Sequence, residues 1–146
     1  MGSTPSTPRT AGVWALMALL LFQGISAVGP GLALVASPSG DILHMPVSKM
    51  RHSPFPDYLI PGLILLVVLG ILPLVVLFGM WRQRSWAWYG SFTVGCGLII
   101  WIAVEMVFVP FSVLQAVYGV TGVLIALATW LPSVRRYCRV RVPADA

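Results

Sequence analysis

Four apolar runs constrain this chain more than any other feature. They fall at residues 11–29, 57–81, 86–109 and 112–131, the last three separated by short links and the first two by residues 30–56. A helix needs about 20 apolar residues to cross a hydrocarbon core ~30 Å thick, and each run is close to that length. Inside such a core the backbone must satisfy its own hydrogen bonds, so a chain built this way folds as helices. Of its 146 residues, 58% are hydrophobic and only 9% charged. A water-soluble domain carries about 25% charged residues, so lipid is the expected solvent for most of this surface. The expected fold class is therefore all-α, a four-transmembrane-helix bundle.

The links set the boundaries. Residues 1–10 form a polar tail rich in Ser, Thr and Pro, expected to be disordered. A signal peptide competes with a retained first helix, with Ile25-Ser26-Ala27 as a mediocre cleavage site. The long apolar run and the single basic residue before it, Arg9, favour retention. Gly29-Pro30-Gly31 is expected to end the first helix, because Pro removes a backbone donor. Residues 30–56 would then form a small extracytoplasmic cap, with a β-hairpin pairing residues 32–36 and 41–45 around Ser37-Pro38-Ser39-Gly40. That tetrad has the residues a tight turn favours. The alternative is that the first helix kinks at Pro30 and continues to Ala36. Asp57 can cap the second helix, and Pro61 falls in its first turn, where a missing donor costs little. Pro73 lies in its interior and should free the carbonyl of Leu69. Pro110 breaks the third helix, and Ser112 with Gln115 forms a capping box that opens the fourth. Pro132 ends the fourth helix, leaving residues 132–146 as a basic tail.

Charge gives orientation. A pI near 9.9 suggests nucleic acid, yet the nine Lys and Arg stand at the ends of apolar runs, where basic residues face lipid headgroups. No nucleic-acid role is expected. Arg9, Arg82, Arg84, Arg135, Arg136, Arg139 and Arg141 fall on one side of a four-span chain, against Lys49 and Arg51 on the other. The positive-inside rule then puts both termini in the cytoplasm. Trp14, Trp81, Trp86, Trp88 and Trp130 all lie near that same interface. Arg135, Arg136, Arg139 and Arg141 are the residues expected to meet anionic headgroups.

One residue stands out chemically. Glu105 is the only glutamate in the chain, within the apolar run GLIIWIAVEMVFV. A carboxylate at mid-membrane costs roughly 2.5–3.5 kcal/mol on insertion scales, less nearer an interface, so it normally faces other helices. Trp101 precedes it by one turn on the same face. Gln23 on the first helix and Gln115 and Tyr118 on the fourth reach similar depth, so these five are the candidate ligand-binding residues. Each also has a structural reading: Gln115 in its capping box, Gln23 in an interhelical hydrogen bond, Glu105 as a protonated lock. His44 and His52 are weak metal candidates at spacing that matches no strong pattern. The two cysteines, Cys96 and Cys138, should lie in different environments and stay unpaired. With no Walker loop, G-x-G-x-x-G, H-E-x-x-H or C-x-x-C, nothing supports an enzyme or a resident cofactor.

The arrangement SPSG at residues 37–40, MP at 45–46, SPFPDYLIPGLIL at 53–65 and LQAVY at 114–118 resembles a group of small bacterial membrane proteins without assigned activity. The likeness covers about residues 12–131 and implies a bacterial inner-membrane setting; no site residue comes with it. Two functions follow as expectations. The first is a non-enzymatic accessory or scaffold subunit, packing against a membrane-protein partner or as a homo-oligomer. The second is a binding protein or carrier that holds a small ligand, cation or proton at Glu105. Glycine-lined faces left unpacked would favour the first, and a cavity reaching Glu105 the second.

Overall fold

The computed structural model describes residues 9–44, 48, 54–108 and 110–139. Four long helices pack in a ring: α1 (Ala11–Ala36), α2 (Leu59–Trp81), α3 (Trp86–Phe108) and α4 (Val113–Thr129). The main contacts run α1 to α2, α2 to α3, α3 to α4 and α4 back to α1. Short α5 (Pro132–Arg139) bends away from α4 by 67°. Three helices are long and apolar enough to cross a membrane, or four if α4 and α5 count as one bent span. Large apolar residues such as Phe78, Ile100, Val107 and Leu127 stay exposed, each above 60%. A surface of that kind fits lipid better than water.

The hairpin is corrected. Among the described residues there is no strand, and α1 runs through Pro30 to Ala36. Two effects account for this. Apolar surroundings offer an unravelled backbone no replacement hydrogen bonds, so the helical ones persist around the proline. Gly31 also lies directly on α2, where a Cβ would stand 2.8 Å from the backbone N and Cα of Leu66. That close approach holds the last turns of α1 against α2. Residues 37–40 do form a turn, with Gly40 N–H donating to the Ser37 carbonyl at 2.9 Å and Gly40 in the left-handed region at φ 82°. A 3-10 turn at Asp41–Leu43 follows in place of the second strand. Tyr58 N–H bonds the Pro38 carbonyl at 2.9 Å, and the Tyr58 ring is buried with Leu34. This ties the connection to the start of α2. Asp57 accepts the Leu59 N–H at 3.0 Å, one residue before the geometric cap at Tyr58.

Within α2 the interior proline leaves a clear trace. Residues Val67–Ile71 form a π-helical turn between α-helical Leu59–Leu66 and Leu72–Trp81. Pro73 has no N–H to give to Leu69, and the Leu69 carbonyl is taken instead by Gln23 Nε2 on α1, at 3.2 Å. Two helices are thus joined where one has lost an internal bond. The buried Ser and Thr hydroxyls stay within their own helices: Ser91 bonds Ala87, Thr121 bonds Val117 and Thr129 bonds Ile125.

At the end where the described chain begins and ends, Val13, Leu16, Leu20, Val76, Met80, Val94 and Ile125 form the main core, closed by Val134 and Tyr137 of α5. So α1 is an integral member of the bundle. Pro132 ends α4 as expected but also opens α5, since proline is well suited to the first helical position. Val134, Tyr137 and Cys138 share the buried face of α5, while Arg136 is exposed. The free Cys138 rests on Met80, and Cys96 is free in α3. All five interface tryptophans meet at this end: Trp14 packs edge-on against Trp81, Trp88 against Trp130, and Trp86 covers Gly79. Residues 1–8, Lys49, Arg51, His52, Val109 and Arg141 lie outside the described residues.

The capping box at the start of α4 is complete. Ser112 Oγ accepts the Gln115 N–H at 3.4 Å, and Gln115 Oε1 accepts the Ser112 N–H at 3.2 Å. Ser112→Ala is expected to lower stability by about 1 kcal/mol, the usual worth of such a cap. A melting temperature equal to that of the wild type would show that the box does not hold this helix end.

Candidate functional site

A pocket of about 170 Å³ lies at the opposite end of the bundle from the described termini, between all four long helices. Engineered cavities of about 150 Å³ hold benzene, so there is room here for a small organic molecule. Helix α3 contributes Leu98, Trp101, Ile102 and Glu105; these positions, three or four residues apart, share one face. Helix α1 contributes Gln23, Ser26, Ala27 and Pro30, again at helical spacing, and α2 adds Leu65 and Leu69. From the start of α4 come Ser112, Leu114, Gln115 and Tyr118. The five polar and aromatic residues singled out in the sequence, Gln23, Trp101, Glu105, Gln115 and Tyr118, all line this one pocket.

Their hydrogen bonding is uneven. Trp101 directs its side-chain N–H to the Glu105 carboxyl group. Gln115 is buried and uses its Oε1 in the capping box. Tyr118 stacks on Phe22 of α1, ring centroids 6.3 Å apart, which ties α4 to α1 beside the pocket. Gln23 is 1% exposed and half-satisfied: its Nε2 serves Leu69, while its Oε1 is buried with no partner. The orientation of this amide follows from the Leu69 carbonyl, which needs a donor. An unpaired buried acceptor of this kind costs about 1–3 kcal/mol.

Among the described residues, no Lys, Arg or His lines the pocket. Two acceptor groups stand out: the half-buried Glu105 carboxyl group and the buried, unpaired Gln23 Oε1, on residues set among leucines and an isoleucine, with Gln115 and Tyr118 as polar neighbours. Glu105 stands three residues from the C-terminal end of α3, where helix carbonyls concentrate partial negative charge. Both acceptors are groups that a hydrogen-bond donor satisfies.

Other expected ligands lie elsewhere. His44 is exposed, in the left-handed region at φ 53°, and is not part of the pocket. No group of three or more metal-ligating side chains occurs among the described residues, and His52 lies outside them. Sequence reasoning did not find Pro30 in the pocket wall, because it placed that residue beyond the helix end. The unpaired Gln23 oxygen was also missed, since it depends on packing that no local pattern encodes.

In comparisons with known proteins, no family, no curated protein and no solved structure matches this chain.

Proposed function

We propose that this chain is a four-span protein of a bacterial inner membrane, with both termini cytoplasmic, that binds a small organic cation in the Glu105 pocket. One observation supports the reading: a carboxyl group and Gln23, whose buried amide oxygen is unpaired, belong to an otherwise largely apolar pocket with no cationic side chain among the described residues. Charged groups inside membrane helices are expensive and usually serve ligand or ion handling. An ammonium group would supply positive charge and N–H donors together, and its hydrocarbon part would suit Leu65, Leu98 and Ile102.

The competing role, an accessory subunit that uses glycine faces to dock on a partner, has less support. Gly24, Gly31, Gly62, Gly70, Gly79, Gly90, Gly95 and Gly122 are already packed against neighbours within the chain. Among the described helical glycines, only Gly29 and Gly97 have open space beside them.

The reading is tested by native mass spectrometry from nanodiscs, with methylammonium as the probe and tetramethylammonium as a donor-free control. Retention of methylammonium over tetramethylammonium is the expected result; retention of neither would refute it. The orientation is tested with single cysteines at Ser39 and Ser85, in a chain whose Cys96 and Cys138 are replaced by Ala. Impermeant thiol reagents should reach them from opposite faces of the membrane. Labelling of both from one side would remove the four-span topology.

A further inference from the structure

We infer that the groove between α1 and α2 at the terminal end of the bundle is a binding site for an anionic phospholipid. Its acyl chain would lie along Trp14, Leu21, Leu74 and Phe78, and its phosphate on Arg9. The groove has a volume of about 480 Å³, and all the side chains that line it are apolar or aromatic. From Trp14 to Leu21 it follows α1 for roughly 10 Å, about two thirds of the ~15 Å that one acyl chain spans in its half of a ~30 Å core.

What selects the occupant is Arg9. Its guanidinium stacks over the Trp81 ring at 4.1 Å and lies 5.7 Å from the Trp14 ring, and both rings line the groove. It donates to Tyr137 Oη at 3.1 Å and to the Trp81 carbonyl at 3.2 Å. Every one of these partners is neutral. The guanidinium is thus fixed in place by uncharged groups, half-buried, and has no carboxylate among them. Arg82, Arg84, Arg135 and Arg136 stand at the same end, whereas the described acids Asp41, Asp57 and Glu105 all belong to the other. A planar guanidinium presents a fork of donors that matches phosphate oxygens. A cation held at the mouth of an apolar groove, with no counter-charge among the described residues, fits a ligand that has an anionic head and a hydrocarbon tail.

This site is separate from the Glu105 pocket and from Arg135 and Arg136 of α5. The test uses the full chain in nanodiscs of equal phosphatidylglycerol and phosphatidylcholine, released for native mass spectrometry. The first retained lipid should be phosphatidylglycerol by about fivefold, the preference expected for one basic residue at a membrane surface. Arg9→Gln should reduce that ratio to one, while Arg135→Gln with Arg136→Gln should leave it unchanged. Ala18→Phe, which fills the groove from its exposed side and spares the core, should displace the lipid even if Arg9→Gln fails to fold. Equal retention of both lipids would overturn the assignment. So would selectivity that survives Arg9→Gln or Ala18→Phe, or a dimer that retains no lipid.

Discussion

Glu105→Gln is expected to weaken methylammonium binding by about ten- to a hundredfold, the usual worth of a hydrogen bond to a charged group, while leaving the melting temperature close to that of the wild type. Glutamine keeps the size of the side chain and can still accept the Trp101 N–H, so packing is preserved and only the carboxylate is lost. Glu105→Leu is expected to abolish binding and also to destabilise, because the Trp101 N–H loses its acceptor. Titration of the three forms in nanodiscs, with melting curves taken alongside, separates charge from packing. Should the glutamine form bind like wild type, Glu105 is a structural lock and the cation reading is wrong. Should the leucine form be as stable as wild type, the lock reading fails as well.

The second large effect is expected at Gln23. Gln23→Leu removes the donor that serves the Leu69 carbonyl, whose ordinary α-helical donor is missing because position 73 is proline. The expected loss is about 1–3 kcal/mol, the cost of leaving one buried polar group unmet. Pro73→Ala restores an N–H four residues after Leu69 and should therefore rescue the Gln23→Leu form. In a double-mutant cycle the two changes should couple favourably, since they act on one shared acceptor. Thermal unfolding of the four forms measures this. A doubly substituted chain no more stable than Gln23→Leu alone would show that the freed carbonyl is not what Gln23 is there to satisfy.

That pair also shows what could be read from the chain beforehand. The freed Leu69 carbonyl was legible because proline chemistry is local: position 73 identifies position 69 by helix geometry alone. The Ser112–Gln115 box was legible for the same reason. The convergence of Gln23, Trp101, Glu105, Gln115 and Tyr118 could be expected from depth, since antiparallel helices of known ends place each residue at a calculable height. Residues 30–36 were not legible. Gly29-Pro30-Gly31 has the composition of a helix end in water, and the close packing of Gly31 on Leu66, which opposes that tendency, is tertiary. In α5 the spacing of Val134, Tyr137 and Cys138 already described an amphipathic helix. Pro132 was read as a stop, although proline serves equally well as a first residue.

The hydrogen bond between Arg9 and Tyr137 spans 128 positions of sequence, and this has a consequence for how the molecule is made. As the chain leaves the ribosome, α1 and α2 can pair as one hairpin, and α3 and α4 as another, from contacts close in sequence. The α1–α4 seam cannot form until the last helix has emerged, and α5 then fastens the first described residues to the last. The Glu105 pocket takes walls from both hairpins, so neither half of the chain contains it. Synthesis of α4 is therefore the step that completes the pocket, and a chain truncated before it would hold Glu105 without the walls that Gln115 and Tyr118 supply.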